Sequence, residues 1–147
     1  GLRVGYTVCS EQMAKLVTKL QEPLVSCASG ISQKACVAAL EGPQEPVERM
    51  VAAYRERRDA VVEILKKKGR FLYSPGGAFY ILIDVSSTGM GSDEFAEQLL
   101  TEKRVAVAPG STFGDTTTSF VRICFATDTE RLIEGTNILC DWIDAHS

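Results

Sequence analysis

Val105–Ala126, VAVAPGSTFGDTTTSFVRICFA, is the stretch whose reading decides the fold. Both of its ends are apolar and strand-like, and its middle is a loop of glycine, serine and threonine. Strict alternation at the second end puts Phe120, Arg122, Cys124 and Ala126 on one face and Val121, Ile123 and Phe125 on the other. A guanidinium does not give up its charge, so Arg122 among apolar neighbours needs a route to water or an anionic partner. Two readings are open. In one, Arg122 snorkels to solvent from a half-exposed strand. In the other, it is aimed at a carboxylate or phosphate, and the turn of small residues leaves space for the ligand.

Working outward from this stretch, Thr127 and Glu130 have the spacing of a capping box for a last helix, Thr127–Ala145, with Leu132, Ile133, Leu139, Trp142 and Ile143 pointing inward. On the other side, SSTGMGSD is a loop, and Ser92 is placed to cap a helix over Asp93–Thr101 whose apolar face is Phe95, Ala96, Leu99 and Leu100. Arg70–Tyr73 reads as a short strand and SPGG as a turn. AFYILID is a continuous apolar run suited to a buried strand. A long helix is expected over Val47–Lys68, roughly 30 Å in length. Its stripe is Val47, Met50, Val51, Tyr54, Val61, Val62 and Leu65, and Gly69 ends it.

The first forty residues follow the same logic. Leu2–Val8 reads as a strand. Ser10 caps a helix over Glu11–Leu20, with Met13, Leu16, Val17 and Leu20 facing a core and Glu11 paired with Lys15. Pro23 is expected to stop that helix. Ile31–Leu40 is an alanine-rich helix built for close packing.

At 147 residues the chain fits one domain, or one domain plus part of another. Its net charge of -3 offers no basic footprint for nucleic acid or an anionic membrane, and no apolar run reaches transmembrane length. The five cysteines are scattered without a CxxC pair, and most sit in apolar runs as small hydrophobes of a reducing compartment; the expected location is the cytoplasm, with an organelle as the alternative. The single histidine, His146, argues against a zinc site and against a Ser-His or Cys-His nucleophile. There is no GxGxxG, and GSTFGD lacks the lysine of a P-loop. Tyr6, Tyr54, Tyr73 and Tyr80 read most simply as core or interface aromatics.

GLRVGY at Gly1–Tyr6 resembles the segment just after the cofactor lysine in class I/II aminotransferases of the pyridoxal-phosphate type I fold. SPGGAFYILID resembles their small-domain hairpin, and AYRERRDAVVEIL the long helix joining their two domains. VAVAPGSTFG followed by VRICFAT resembles the strand–loop–strand that presents their substrate-carboxylate arginine. The resemblance implies an α/β (α+β) chain in three parts. Residues 1–43 would close the large cofactor-binding domain, 44–69 would form the connecting helix, and 70–147 would make a small domain with a short mixed sheet flanked by helices.

Residue by residue, the resemblance matches Arg3 to the arginine that binds the phosphate of pyridoxal 5'-phosphate, and Arg122 to the arginine that pairs with the substrate α-carboxylate. It implies amino-group transfer between an amino acid and a 2-oxo acid by a homodimer, in which Ser26–Ser29 would approach the neighbouring subunit's cofactor phosphate. The Schiff-base lysine of the family precedes the phosphate arginine and has no counterpart by motif here. The chain therefore reads as the C-terminal portion of a longer enzyme and is expected not to transaminate alone. An aminotransferase-like effector domain of a transcription regulator, a non-catalytic fragment, or a lyase or synthase on the same fold remain as alternatives.

Overall fold

A three-stranded sheet stands at the centre of the second half of the chain. In the computed structural model, which describes residues 1–147, its strands are β1 (Tyr80–Asp84), β2 (Ala108–Pro109) and β3 (Phe120–Cys124), in the order β1-β3-β2. The stretch around Arg122 and the AFYILID run thus share one sheet, as expected. Both pairings are antiparallel, where a mixed sheet was anticipated. Five helices complete the chain: α1 (Glu11–Val25), α2 (Gly30–Glu41), α3 (Glu45–Lys67), α4 (Ser92–Lys103) and α5 (Thr129–Ala145). None is long and apolar enough to cross a membrane. The chain divides into two compact units, Gly1–Val47 and Glu48–Ser147.

The second unit holds the core. Ile81 and Ile83 of β1 and Val121 of β3 cluster with Val61 and Leu65 of α3, Phe95 and Leu99 of α4, and Leu139 and Ile143 of α5, all of them buried. Period-2 alternation is what makes this possible. Ile83 faces Val121 across the β1–β3 ladder, while Tyr80, Leu82, Phe120, Arg122 and Cys124 are half-buried on the opposite face. Trp142 meets Phe95 edge-on at 4.9 Å and donates Nε1–H to Glu102 at 3.0 Å, so its polar edge is satisfied although the ring is buried.

Gly69 ends α3 as read from sequence. Its φ of +68° suits glycine; its N–H donates to Lys66 O, and Arg70 N–H donates to Leu65 O, the two bonds of a Schellman motif. Arg70 then reaches Asp144 and Lys68 reaches Asp141, tying this end of α3 to the last turns of α5. The hydrogen bond that Lys68 donates to the Asp141 carboxylate holds its ammonium above its usual pKa.

Several expected caps, faces and elements differ in the structure. The Ser92 hydroxyl does not cap α4; it is buried and accepts from Ser111 N–H at 3.1 Å, and Gly91 precedes the helix instead. Asp128, rather than Thr127 with Glu130, caps α5. Its carboxylate accepts from Glu130 N–H at 3.0 Å and Arg131 N–H at 3.2 Å, satisfying two orphan donors with one charged group. Ile133 is exposed on α5, and Leu100 is exposed on α4. Arg70–Tyr73 is not a strand. Where a further strand would pair with β1, the Tyr73 hydroxyl accepts from Leu82 N–H at 3.2 Å.

In the first unit, Ser10 caps α1 by accepting from Met13 N–H at 3.4 Å, and Lys15 pairs with Glu11 at 2.7 Å. Pro23 does not stop α1. It removes one donor, but residues after it are free to stay helical, and the helix ends at Ser26, whose φ is +60°. Leu2–Val8 forms no strand, because no other segment supplies the ladder its N–H and C=O groups need. The expected core stripe of α1 is exposed: Met13, Leu16, Val17 and Leu20 all lie above 40% exposure. In the second unit the first turns of α3 behave likewise, with Met50 and Val51 exposed. Only Cys140 of the five cysteines is fully buried, while Cys9 and Cys27 lie in the open.

Candidate functional site

The site is the face of the sheet opposite the core, in the second unit. β3 is the central strand, so Arg122 stands with Leu82 of β1 on one side and Ala108 of β2 on the other, all on the same face. Its guanidinium carbon lies 4.1 Å from the centre of the Tyr80 ring and 4.4 Å from that of Phe113. Tyr80 comes from β1, and Phe113 from the short 3-10 turn Gly110–Phe113 that follows β2. None of the chain's five ion pairs involves Arg122, and no side-chain hydrogen bond engages it. No buried side-chain nitrogen in the structure lacks a partner. The unpaired Arg122 N–H groups therefore reach solvent.

This arrangement suits a planar cation. Ring faces offer the guanidinium a negative quadrupole without using its in-plane N–H donors. Those donors form a fork that matches a carboxylate in two parallel bonds. Arg122 is thus half-buried and solvent-reaching, with its in-plane N–H edge unpaired.

The loop that carries Phe113 is tightly held. Thr112 donates to Pro109 O at 2.6 Å, Thr117 donates to Gly110 O at 2.7 Å, and Ser111 N–H reaches the buried Ser92. Gly110 is buried because the backbone at Thr117 and Phe120 closes over it, leaving no room for a side chain. On the other flank Tyr80 packs on Phe79 with centroids 4.4 Å apart, and Phe79 stacks on Tyr54 of α3 at 5.6 Å. Arg57, also on α3, donates Nε–H to Thr129 at 3.2 Å and an Nη1–H to Phe125 O at 3.4 Å, fastening that helix just past the end of β3. A row of aromatic rings thus runs from α3 to Arg122.

Tyr80 and Phe113 were not singled out as site residues in the sequence. The signal was present for Tyr80, because alternation in AFYILID that buries Ile81 and Ile83 sends Tyr80 to the Arg122 face. Phe113 sits in an irregular loop, and no periodicity could have aimed it.

A cleft of about 320 Å³ lies between α3 and the PGG turn, lined by Tyr54, Arg55, Arg58 and Phe79 among others. Arg58 there is paired with Asp59 at 2.7 Å. A second cleft, about 510 Å³, opens between the segment before β2 and the start of α5, with Arg104 and Arg131 at its edge. Arg122 lines neither.

Arg3 belongs to the first unit, where it is exposed, with a φ of +52° and no hydrogen-bonding or ionic partner. Its neighbour Leu2 is tethered, since the buried Ser32 hydroxyl donates to Leu2 O at 2.9 Å. Ser26 closes α1 and Ser29 precedes α2, so Ser26–Ser29 joins one helix end to the first turn of the next. An unpaired guanidinium, and separately the small hydroxyls at the start of α2, are each groups of the chemical kind that takes a phosphate. Lys34 lies within α2, Lys66 pairs with Glu63 at 3.2 Å, and Lys68 is engaged by Asp141.

Known proteins resemble this chain in sequence and fold. Residues 1–137 match the family model described as aminotransferase class I and II. The aspartate aminotransferase of Thermotoga maritima is 40% identical over 145 residues, covering 99% of this chain and 36% of that protein. That of Pyrococcus horikoshii is 40% identical over 140 residues, covering 93% of this chain and 36% of its own length. The crystal structure of an aromatic aminotransferase from Pyrococcus horikoshii superposes with a TM-score of 0.84 at 33% identity, covering 98% of this chain and 39% of that one. The chain thus spans a little over a third of the length of the curated relatives it matches. With a family model matched over most of its length and a fold shared with solved members, this chain belongs to the class I and II aminotransferase family.

Proposed function

We propose that this chain supplies the substrate-carboxylate arm of a pyridoxal-phosphate-dependent aminotransferase that moves an amino group between an amino acid and a 2-oxo acid. In this reading residues 1–43 belong to the cofactor-binding domain, 44–69 to the connecting helix and 70–147 to the small domain. Arg3 takes the cofactor phosphate, Ser26–Ser29 faces the cofactor phosphate of a second subunit, and the working unit is a cytoplasmic homodimer. Bound cofactor supplies the electron sink for amino transfer. Arg122 receives the α-carboxylate in two parallel hydrogen bonds, which fixes the orientation of the amino acid and so acts by positioning.

One observation carries this reading. Arg122 is a half-buried guanidinium without a carboxylate partner, braced on two aromatic rings with its N–H groups open to solvent. The test is Arg122→Lys in a full-length aminotransferase carrying these 147 residues. A lysine keeps the charge but loses the fork, so kcat/KM for transamination should fall by about two orders of magnitude while cofactor binding is retained. Kinetics within a few-fold of wild type would reduce Arg122 to a solvent-reaching strand residue.

A further inference from the structure

The two rings around Arg122 do more than cover the sheet. We propose that Tyr80 and Phe113 are positioning residues for Arg122, fixing the plane of its guanidinium so that the N–H fork faces a ligand carboxylate. The inference rests on the carboxylate reading of Arg122 given above and adds the residues that make the arginine effective.

A long arginine side chain on an open sheet face samples many rotamers, and binding a carboxylate in two parallel bonds requires one of them. The rings narrow that choice. Tyr80 contributes from one flanking strand and Phe113 from the turn after the other, at 4.1 and 4.4 Å from the guanidinium carbon. Each ring is itself fixed. Tyr80 leans on Phe79 and through it on Tyr54 of α3. Phe113 sits at the end of a turn locked by Thr117 on Gly110 O and by Ser92 on Ser111 N–H.

Simple packing does not account for Phe113. It is 48% exposed, although it belongs to a loop held by three side-chain hydrogen bonds. Its ring meets the Arg122 guanidinium at 4.4 Å while half of the side chain stays in solvent. Leucine at the same place would keep much of the apolar contact and lose the π face.

The experiment uses the isotopically labelled 147-residue chain and follows the Arg122 Nε–H NMR signal, assigned by its loss in Arg122→Lys. Propionate is the probe, propionamide its neutral control, and ionic strength is held constant. In the ligand-free wild type the signal should carry a ring-current shift that relaxes in Phe113→Leu and in Tyr80→Leu. Propionate should move it and propionamide should not. Phe113→Leu and Tyr80→Leu should each weaken propionate binding about three- to tenfold, while Phe113→Tyr and Tyr80→Phe stay within about twofold. The thermal midpoint of Phe113→Leu should stay near wild type, which separates positioning from a structural role.

Leucine variants that bind propionate as wild type does, with the signal still indifferent to propionamide, would overturn the positioning role and leave the carboxylate reading standing. A wild-type signal without a ring-current shift would overturn it without recourse to any variant. A wild-type Arg122 signal that does not move with propionate, or that moves as far with propionamide, would remove the carboxylate reading and this inference with it.

Discussion

A single methyl group at Gly110 should break the loop that carries Phe113. A Cβ built there would lie 1.9 Å from Thr117 O and 2.5 Å from Phe120 O, and both are backbone atoms. An unstrained carbon–oxygen contact is about 3.3 Å, so the strands of the loop would have to part by more than about 1 Å. Neither side can yield easily. Phe120 begins β3 and pairs with Asp84, Ser119 O accepts from Val85 N–H, and Thr118 O accepts from Ser92 N–H, each of these two bonds being 2.9 Å. Overpacking of this kind typically destabilises by about 1–3 kcal/mol, and each backbone hydrogen bond lost adds about 1 kcal/mol. Gly110→Ala should therefore destabilise the chain by about 3–5 kcal/mol. The sign is informative in itself, because glycine-to-alanine in an accommodating place stabilises by about 0.4–1 kcal/mol through the unfolded state. Urea unfolding followed by the fluorescence of Trp142, the only tryptophan, measures the change. Gly76→Ala is the control, since its Cβ would meet nothing within 4 Å. If Gly110→Ala unfolds within about 0.5 kcal/mol of wild type, the closed packing of the loop, and with it the fixed placement of Phe113, is wrong.

Other expectations follow from the core and its edges. Leu139→Ala, in a fully buried position of α5, should destabilise by about 2–5 kcal/mol in the same urea assay. Burial pushes the Cys140 thiol up to about 11, so at pH 8 an alkylating reagent should modify Cys9 and Cys27 in the native chain and spare Cys140, as peptide mapping would reveal. The linkage sign is also fixed: the folded state holds the Cys140 proton more tightly than the unfolded state. Its contribution is complete below about pH 9 and is lost as pH rises through about 11, so alkaline titration should lower the melting temperature across that window, less so in Cys140→Ser. Limited proteolysis should cut before Glu48 first and leave Glu48–Ser147, because α1 buries no residue and α2 only Ser32.

How much of this was legible in the sequence depended on whether the partner of each residue was local. The end of α3 was readable because a Schellman motif needs only Leu65, Lys66, Gly69 and Arg70. The faces of β3 were readable because alternation is a property of one strand, and Val121 is buried while Arg122 is not. Ser92 misled because a serine before an apolar run has the look of a cap, and its actual partner, Ser111, lies nineteen residues on. Thr127 was passed over because Asp128 competes for the same orphan N–H groups and wins with a charge. Period reports that a helix has an apolar face and is silent on what covers it. The stripe of α1 has the spacing of a core face, and in this structure it meets solvent.

Arg122 shows why an arginine is hard to read from its own strand. Alternation placed it on the half-exposed face and posed a choice between reaching water and meeting an anion. That choice assumed that a charge among apolar neighbours has only those two ways of being satisfied. Aromatic faces provide a third, because they attract the cation while leaving its N–H edge unspent. The guanidinium is then partly desolvated, which strengthens whatever charge it meets. It is also rotationally restricted, which lowers the entropy lost on binding. Both effects favour a ligand whose carboxylate arrives in the plane of the fork over a diffuse anion such as chloride. The two rings come from segments on opposite flanks of β3, Tyr80 on β1 and Phe113 after β2, so the bracket exists only once the three-stranded sheet has closed. A preference of Arg122 for carboxylate over chloride should accordingly disappear with the sheet, in parallel with the loss of the Arg122 ring-current shift during urea unfolding.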